Sequence, residues 1–446
     1  MNGGPPSLRS RLSNKPLTID QIDQLFVETS NARDPEDSRR QEIADALEIE
    51  PHAKVLVTGH RGCGKSTELV KLETELADRY IVARVWPKTE GKLVDLKVEE
   101  LLVLVVEQVL RRIDQLPHAK GELDDRVLQE VYAWFDEVIV KSETRRDTSA
   151  TAAAGVDTKG SLLDKLVGLF ARASFELKTG TRSLESRVRR QSGGIHELVQ
   201  KCNTIFNEAN DALIKTGQEL LVIVEDIDKA EIDEARRLFI DNPGVLTTLT
   251  CKAIFTAPMF LMFMPMAAVR RASFAQVTIP LIKVTERDGQ PSVEGRAAIR
   301  AILAQRLPEG LVQDDALDLA IAKTGGMLRH LFDVLVYAER SAFTAARKDG
   351  SEMVIRASNV RYGLDRQLNN LSQRVSTIGL PADFEDVTVA ALQERLKELV
   401  GVTAPISNDR VNLVLLSAQL LLEYNGAGWH RLHPLAEEYA DVLRGR

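Results

Sequence analysis

Residues 54–67 read Lys-Val-Leu-Val-Thr-Gly-His-Arg-Gly-Cys-Gly-Lys-Ser-Thr. Gly59, Gly64, Lys65 and Ser66 stand at the spacing G-x-x-x-x-G-K-S, and each residue type has a task in holding a polyphosphate. Gly59, Gly62 and Gly64 let the backbone curl so that successive N–H groups face one point. Those N–H groups and the positive end of a following helix would cradle the phosphates. The expected binding set is Gly59, His60, Arg61, Gly62, Cys63, Gly64, Lys65, Ser66 and Thr67. Within it Lys65 would reach the β- and γ-phosphates and the Ser66 hydroxyl would ligate Mg²⁺. An apolar strand (Val55 to Val57) precedes the loop and a helical run (Thr67 to Leu76) follows it. That context separates a phosphate loop from a chance glycine turn.

A second group of residues could complete such a site. Leu220 to Val224 is apolar throughout and ends in Glu225-Asp226-Ile227-Asp228, a buried strand delivering acids to its carboxyl end. Open α/β sheets place their ligands at that end. One acid would hold Mg²⁺ through its water shell, and the next would orient or deprotonate an attacking water. The register gives Glu225 the metal position and Asp226 the water. The alternative, Asp226 on the metal with Asp228 assisting, stays open. Thr256 ends the next strand, where a polar side chain can contact the γ-phosphate or the water; a β-branched residue suits a strand end equally well. Arg270 and Arg271 are either fingers for a neighbouring subunit's nucleotide or a solvated pair. Arg329, in Thr324-Gly-Gly-Met-Leu-Arg329, opens a helix. It would fold onto the phosphates or form a surface salt bridge.

The elements that position these residues follow from the pattern. Strands at Val55, Tyr80 to Trp86, Leu220, Lys252 to Phe255 and Val277 to Ile279 alternate with helical segments, so the fold class is α/β with a mostly parallel sheet covered on both faces. Val98 to Ile113 is a buried helix. Residues 1–17 are expected to be a disordered tail, with two short helices over Leu17 to Leu47, the second starting at Asp34-Pro35. The ATPase-like core spans 18–292 and carries a helical insertion, 116–217. Within it Glu122 to Val140 and Gly194 to Lys215 are helices, Lys141 to Ser161 a mobile loop, and Leu162 to Lys178 a helix running into a short strand. A helical lid spans 293–350. In 351–446, helices at Ala357 to Leu371, Thr388 to Leu399 and Val411 to Tyr424 precede a hairpin around Asn425-Gly426.

Composition narrows the function classes. A length of 446 residues and a 44% hydrophobic, 28% charged chain describe about two to four folded domains. Net charge is −7, so no global basic field advertises nucleic acid. Cys63, Cys202 and Cys251 lie far apart, without metal-ligand spacing, which fits a cytoplasmic location. No signal peptide is expected, because Met1 to Pro16 has no apolar core, and no membrane span, because the greasiest stretches, Leu101 to Val106 and Pro258 to Val269, are too short.

The chain resembles AAA+ or STAND-type ATPases, in particular bacterial ATPases similar to replication-initiator (origin-recognition) proteins. The likeness lies in Gly59 to Leu69, in Val222 to Lys229, in Gly325-Gly326-Met-Leu-Arg329 as a sensor 2 signature, and in Glu423 to Pro434 as a winged-helix end. It implies a P-loop fold of sheet order 5-1-4-3-2, a helical lid and a winged-helix-like C-terminal domain. It also implies ATP hydrolysis with Mg²⁺ and, as a family tendency, a place in bacterial anti-phage defence. Two departures stand out: Glu225 replaces the commoner aspartate, and the insertion lies between the two site motifs. KAP-type NTPases carry membrane helices in that region, and this insertion shows none. The expected function is a regulatory ATPase that switches conformation or assembly to control a protein partner or effector, with homo-oligomer formation a weaker expectation. The alternative is a DNA-binding initiator or loader, which charge disfavours, since acids outnumber bases beyond Val354. A scaffold with a dead nucleotide site is opposed by Lys65, Ser66 and Asp226.

Overall fold

The computed structural model describes residues 8–33, 38–87, 96–138, 161–178, 194–241, 243–264, 274–377, 384, 386–405, 407–424 and 429–445. At its centre are five parallel strands: β1 (Lys54–Thr58), β2 (Tyr80–Val85), β3 (Glu219–Val224), β4 (Lys252–Thr256) and β5 (Ala275–Thr278). Their order is β2-β3-β4-β1-β5, the 5-1-4-3-2 arrangement implied by the resemblance. β4 lies between β1 and β3, pairing Val55 with Ile254 and Val222 with Ala253. The loops that leave β1 and β3 therefore open at one edge of the sheet, two strands apart.

The strands are continuous apolar runs because both faces are covered. On one face Val55, Val57, Leu221, Ile223 and Ile254 join Ile43, Leu47, Leu69 and Leu72, from helices Arg39–Ile49 and Lys65–Glu75. The alternate residues Leu56, Val222, Val224 and Phe255 point to the other face, where helices Val98–Asp114 and Gly194–Ile214 pack on β2 and β3. The described part of the insertion is thus built onto the core: Leu162–Lys178 packs on Val98–Asp114, and Phe135 meets Phe170 edge-on at 4.6 Å.

Three helices follow the sheet, Val293–Ala304, Asp314–Lys323 and the long helix Leu328–Asp349 of the segment expected to form a lid (hereafter the lid helix), against which Ala357–Thr377 runs. The lid helix starts after Gly326, whose φ of +79° and whose approach to the Ile282 carbonyl oxygen, 2.0 Å from where a Cβ would sit, exclude a side chain. The chain ends in helices Val389–Leu399 and Arg410–Ser417, an antiparallel pair β6 (Leu421–Tyr424) and β7 (Trp429–Leu432), and helix Pro434–Leu443.

Four expectations change. The run Val411 to Tyr424 is not one helix: it stops at Ser417, Gln419 takes a left-handed φ of 63°, and Leu421–Tyr424 is a fully buried strand. Burial on both sides favours an extended β6 paired with β7 over a continued helix. Leu162–Lys178 is helical to its end, with no strand. From Leu8 onward the expected tail is part of the fold, because Leu8 and Leu12 are buried one helical turn apart and helix Leu8–Arg11 packs on the lid helix. The helix expected at Asp34-Pro35 starts at Arg39, and Asp34-Pro35 itself lies outside the described residues. So does almost all of the expected loop Lys141 to Ser161. Among the described residues no helix is long and apolar enough to cross a membrane.

Candidate functional site

Between β1 and helix Lys65–Glu75 the backbone turns through three left-handed glycines, Gly59, Gly62 and Gly64, with φ of 146°, 84° and 106°. Gly62 shows why a side chain is excluded: an added Cβ would lie 2.5 Å from Cβ of Arg329. The loop and the start of the lid helix are therefore in contact. Together they line a 110 Å³ pocket with Lys65, Ser66, Thr67, Asp226 and Asp228.

Lys65 is buried; its Nζ donates to the carbonyls of Gly59 and His60 at 2.9 and 3.1 Å and pairs with Asp228 at 2.8 Å. Burial pulls the Lys65 pKa down, but Asp228 more than offsets this and leaves it raised. Burial acts on Asp228 in the opposite sense and is likewise overcome, by Lys65 and Arg61, so its carboxyl is held below the usual range. The Ser66 hydroxyl donates to Glu225 Oε2 at 2.6 Å. Glu225 is fully buried, with its other oxygen paired to Arg84 of β2. Arg84 in turn pairs with Glu73 at 2.5 Å. Burial pushes the Glu225 carboxyl up, opposed by Arg84 and Ser66. Asp226 takes a left-handed φ of 66°, uncommon outside glycine and a marker of functional sites. It faces the pocket and pairs with Lys229 at 2.5 Å.

Other expected residues fall elsewhere. Thr256 is buried at the end of β4, and its hydroxyl donates to the Val224 carbonyl at 3.3 Å, so it satisfies the sheet and does not line the pocket. Arg270 and Arg271 lie outside the described residues. Arg329 lines the pocket, and its Nε is buried without a hydrogen-bond partner, a buried donor left for a ligand to satisfy. Within the loop, Arg61 donates to the carbonyls of Asp228 and Ala230 at 3.0 and 3.2 Å. Cys63 is buried and free.

Several residues that hold the site were not singled out as site residues from sequence: Arg33, Arg84, Gln419, Glu423 and residues 13–16. Arg33 donates to the carbonyls of Cys63 (2.7 Å) and Pro280 and props the loop from beneath. Arg84 steadies Glu225. His60 Nε2 accepts from the Glu423 backbone N–H at 2.8 Å, and the Gln419 side chain donates to the Arg61 carbonyl at 2.6 Å. Ser13, Asn14, Lys15 and Pro16 form the pocket wall opposite the loop. The spacing of Leu8 and Leu12 was a readable sign that this segment packs. Nothing local marks Arg33 or Arg84, whose partners are distant in sequence.

The oxygen donors of Ser66 and Glu225 suit a hard cation such as Mg²⁺, and the unpaired Arg329 donor suits a phosphate. A family model described as the KAP family P-loop domain matches residues 38–242. It names the KAP-type group contrasted above for its membrane helices, and it covers less than half of the chain. No protein of curated function matches the chain significantly. The solved structure of a Walker-type ATPase of Pyrococcus abyssi is similar at a TM-score of 0.43 and 12% identity, over 97% of this chain and 99% of that one. The loop, the acidic strand end, the five-stranded sheet and the family match agree: the chain is a P-loop NTPase.

Proposed function

We propose that this protein is a regulatory ATPase, of the AAA+ or STAND kind, in which hydrolysis changes how the C-terminal domain is held. The observation that carries this reading is the direct bonding of the C-terminal hairpin to the nucleotide site. Glu423 and Gln419 bond to the phosphate loop at His60 and Arg61, and the Tyr424 hydroxyl donates to the Gly325 carbonyl at 2.9 Å, four residues before Arg329. A loop and lid that shift on phosphate cannot do so without disturbing these bonds, which is how a ligand comes to favour one arrangement over another.

In the catalytic assignment, Lys65 leaves Asp228 for the phosphates and Arg329 takes the γ-phosphate. Asp226 orients and deprotonates the attacking water, a role its strained backbone at the pocket wall supports. Ser66 and Glu225, already 2.6 Å apart, would hold Mg²⁺, which supplies charge neutralisation at the phosphates. The helix–hairpin–helix order of residues 389–443 fits a winged helix used to engage a protein partner, and a role in bacterial defence follows from the resemblance alone.

The test is ATP turnover by wild type, Lys65→Ala and Asp226→Ala, with hydrogen exchange at residues 419–424 with and without ATP. Both variants should lose turnover, and ATP should change exchange at 419–424 in wild type and not in Lys65→Ala, which lacks the phosphate-binding ammonium. Unchanged turnover in both variants sinks the ATPase; lost turnover with ATP-independent exchange sinks the switch.

A further inference from the structure

The cleft has a wall that the loop, the acids and the lid do not account for. Residues 8–18 run along the lid helix and across the mouth of the pocket. They are fastened by buried Leu8 and Leu12, by the Leu8 N–H donating to Glu339 at 2.8 Å, and by the Asn14 amide donating to Asp333 at 2.8 Å. Both acceptors belong to the helix that carries Arg329. From this segment Lys15 lines the 110 Å³ phosphate-loop pocket and also an adjoining 380 Å³ cavity, whose far wall includes Phe26 and Ile302.

The charges of the cleft are unevenly committed. Lys65 is neutralised by Asp228. Arg61 is spent on two carbonyls and Arg33 on the loop and Thr29. The Lys15 side chain is exposed and makes no hydrogen bond or ion pair among the described residues; only its backbone N–H is engaged, with Ser13 Oγ at 3.1 Å. A flexible ammonium standing at a pocket built for polyanion is a point charge available to it.

We propose that Lys15 is a further polyphosphate-binding residue, and that a bound nucleotide ties segment 8–18 down over the cleft through it. This rests on the nucleotide-site reading above. The ligand supplies the negative charge, Lys15 the counter-charge, and the lid helix the anchor. Segment and lid would then move as one unit when the phosphates arrive or leave.

The experiment is titration of the full chain with a fluorescent ATP analogue in the presence of Mg²⁺, for wild type, Lys15→Ala, Lys15→Arg and Lys65→Ala, with hydrogen exchange at residues 8–18. A charge-assisted contact at a partly exposed site corresponds to roughly tenfold in affinity. Lys15→Ala should bind about tenfold more weakly, with a shallower salt dependence, and Lys15→Arg should recover most of the loss. ATP should protect 8–18 in wild type and not in Lys15→Ala. Lys65→Ala reports on the site itself: if wild type and Lys65→Ala bind alike, or wild type does not bind, the nucleotide-site reading fails and this one with it. If Lys65→Ala loses binding while Lys15→Ala keeps wild-type affinity and protection, only the role of Lys15 is refuted. Because Lys15 is exposed, its replacement leaves the fold intact.

Discussion

Acidification should loosen the C-terminal hairpin from the nucleotide site. Four histidines are buried at the junction, His60, His330, His430 and His433, and the hydrogen bonds of three of them fix their protonation. His60 Nε2 accepts from the Glu423 N–H, so the ring must be neutral at that nitrogen. His433 Nδ1 accepts from the Leu435 N–H at 3.2 Å, which makes Nε2 its N–H, donating to His330 Nδ1 at 3.0 Å. Burial, then neighbouring Lys65, His430 and His433, push His60 down to about 3. Burial, then Arg374, does the same to His433, also to about 3, and His330 moves in the same direction. For a base whose folded pKa is depressed, the unfolded chain binds more protons. Stability is therefore whole above the unfolded value of 6.5 and is lost as pH falls from there toward 3. At 1.36 kcal/mol per pH unit, going to pH 5 costs about 2 kcal/mol per histidine, or about 4 kcal/mol for His60 and His433 together. That is a large share of the roughly 5–15 kcal/mol that holds an ordinary domain. The assay is the urea midpoint at pH 7.5, 6 and 5 for wild type and His60→Gln, whose amide oxygen can still accept from Glu423. Carboxylate titration is common to both chains and cancels. The variant should lose about 2 kcal/mol less than wild type between pH 7.5 and 5. Equal losses would refute the buried, neutral His60.

Lys65→Ala leaves Asp228 buried without its partner and should cost about 3–5 kcal/mol; adding Asp228→Asn should restore the melting temperature but not nucleotide binding. Arg84→Ala removes the opposing charge from buried Glu225 and raises its pKa further. Turnover should fall about 10- to 100-fold at neutral pH and recover as pH rises, and a pH-independent loss would contradict this. Gly62→Ala forces a side chain into a φ of +84° against Arg329, so thermal unfolding should show a loss of about 1–3 kcal/mol.

The site legible in the sequence was the part built from contiguous residues. Gly59 to Thr67 and Leu220 to Asp228 each carry their geometry locally: glycines set the curl, and an apolar strand sets where the acids emerge. The alternation of strands and helices likewise decided the layers, since continuous valine, isoleucine and leucine runs are stable only when covered on both faces. Where local pattern was ambiguous, tertiary burial decided. Residues 411–424 were expected to be one helix, yet Leu421–Tyr424 is a strand paired with β7 and bonded to the phosphate loop. Residues 8–16 had tail-like composition, yet two leucines seat them on the lid helix.

The sequence by itself determined that this chain is a P-loop NTPase and how the loop at residues 59–67 curls, because a phosphate cradle is made by neighbours in the chain. Only the tertiary structure decided which acid meets Ser66, that Asp228 occupies Lys65, that Arg33 and Arg84 brace the site, that Lys15 lines it, and that the C-terminal hairpin is bonded to its loop. Apart from the placement of Lys15, these depend on charges and hydrogen bonds between residues about 30 to more than 300 positions apart. Such partners are chosen by desolvation: a buried donor or charge must be satisfied by whatever packing brings near it.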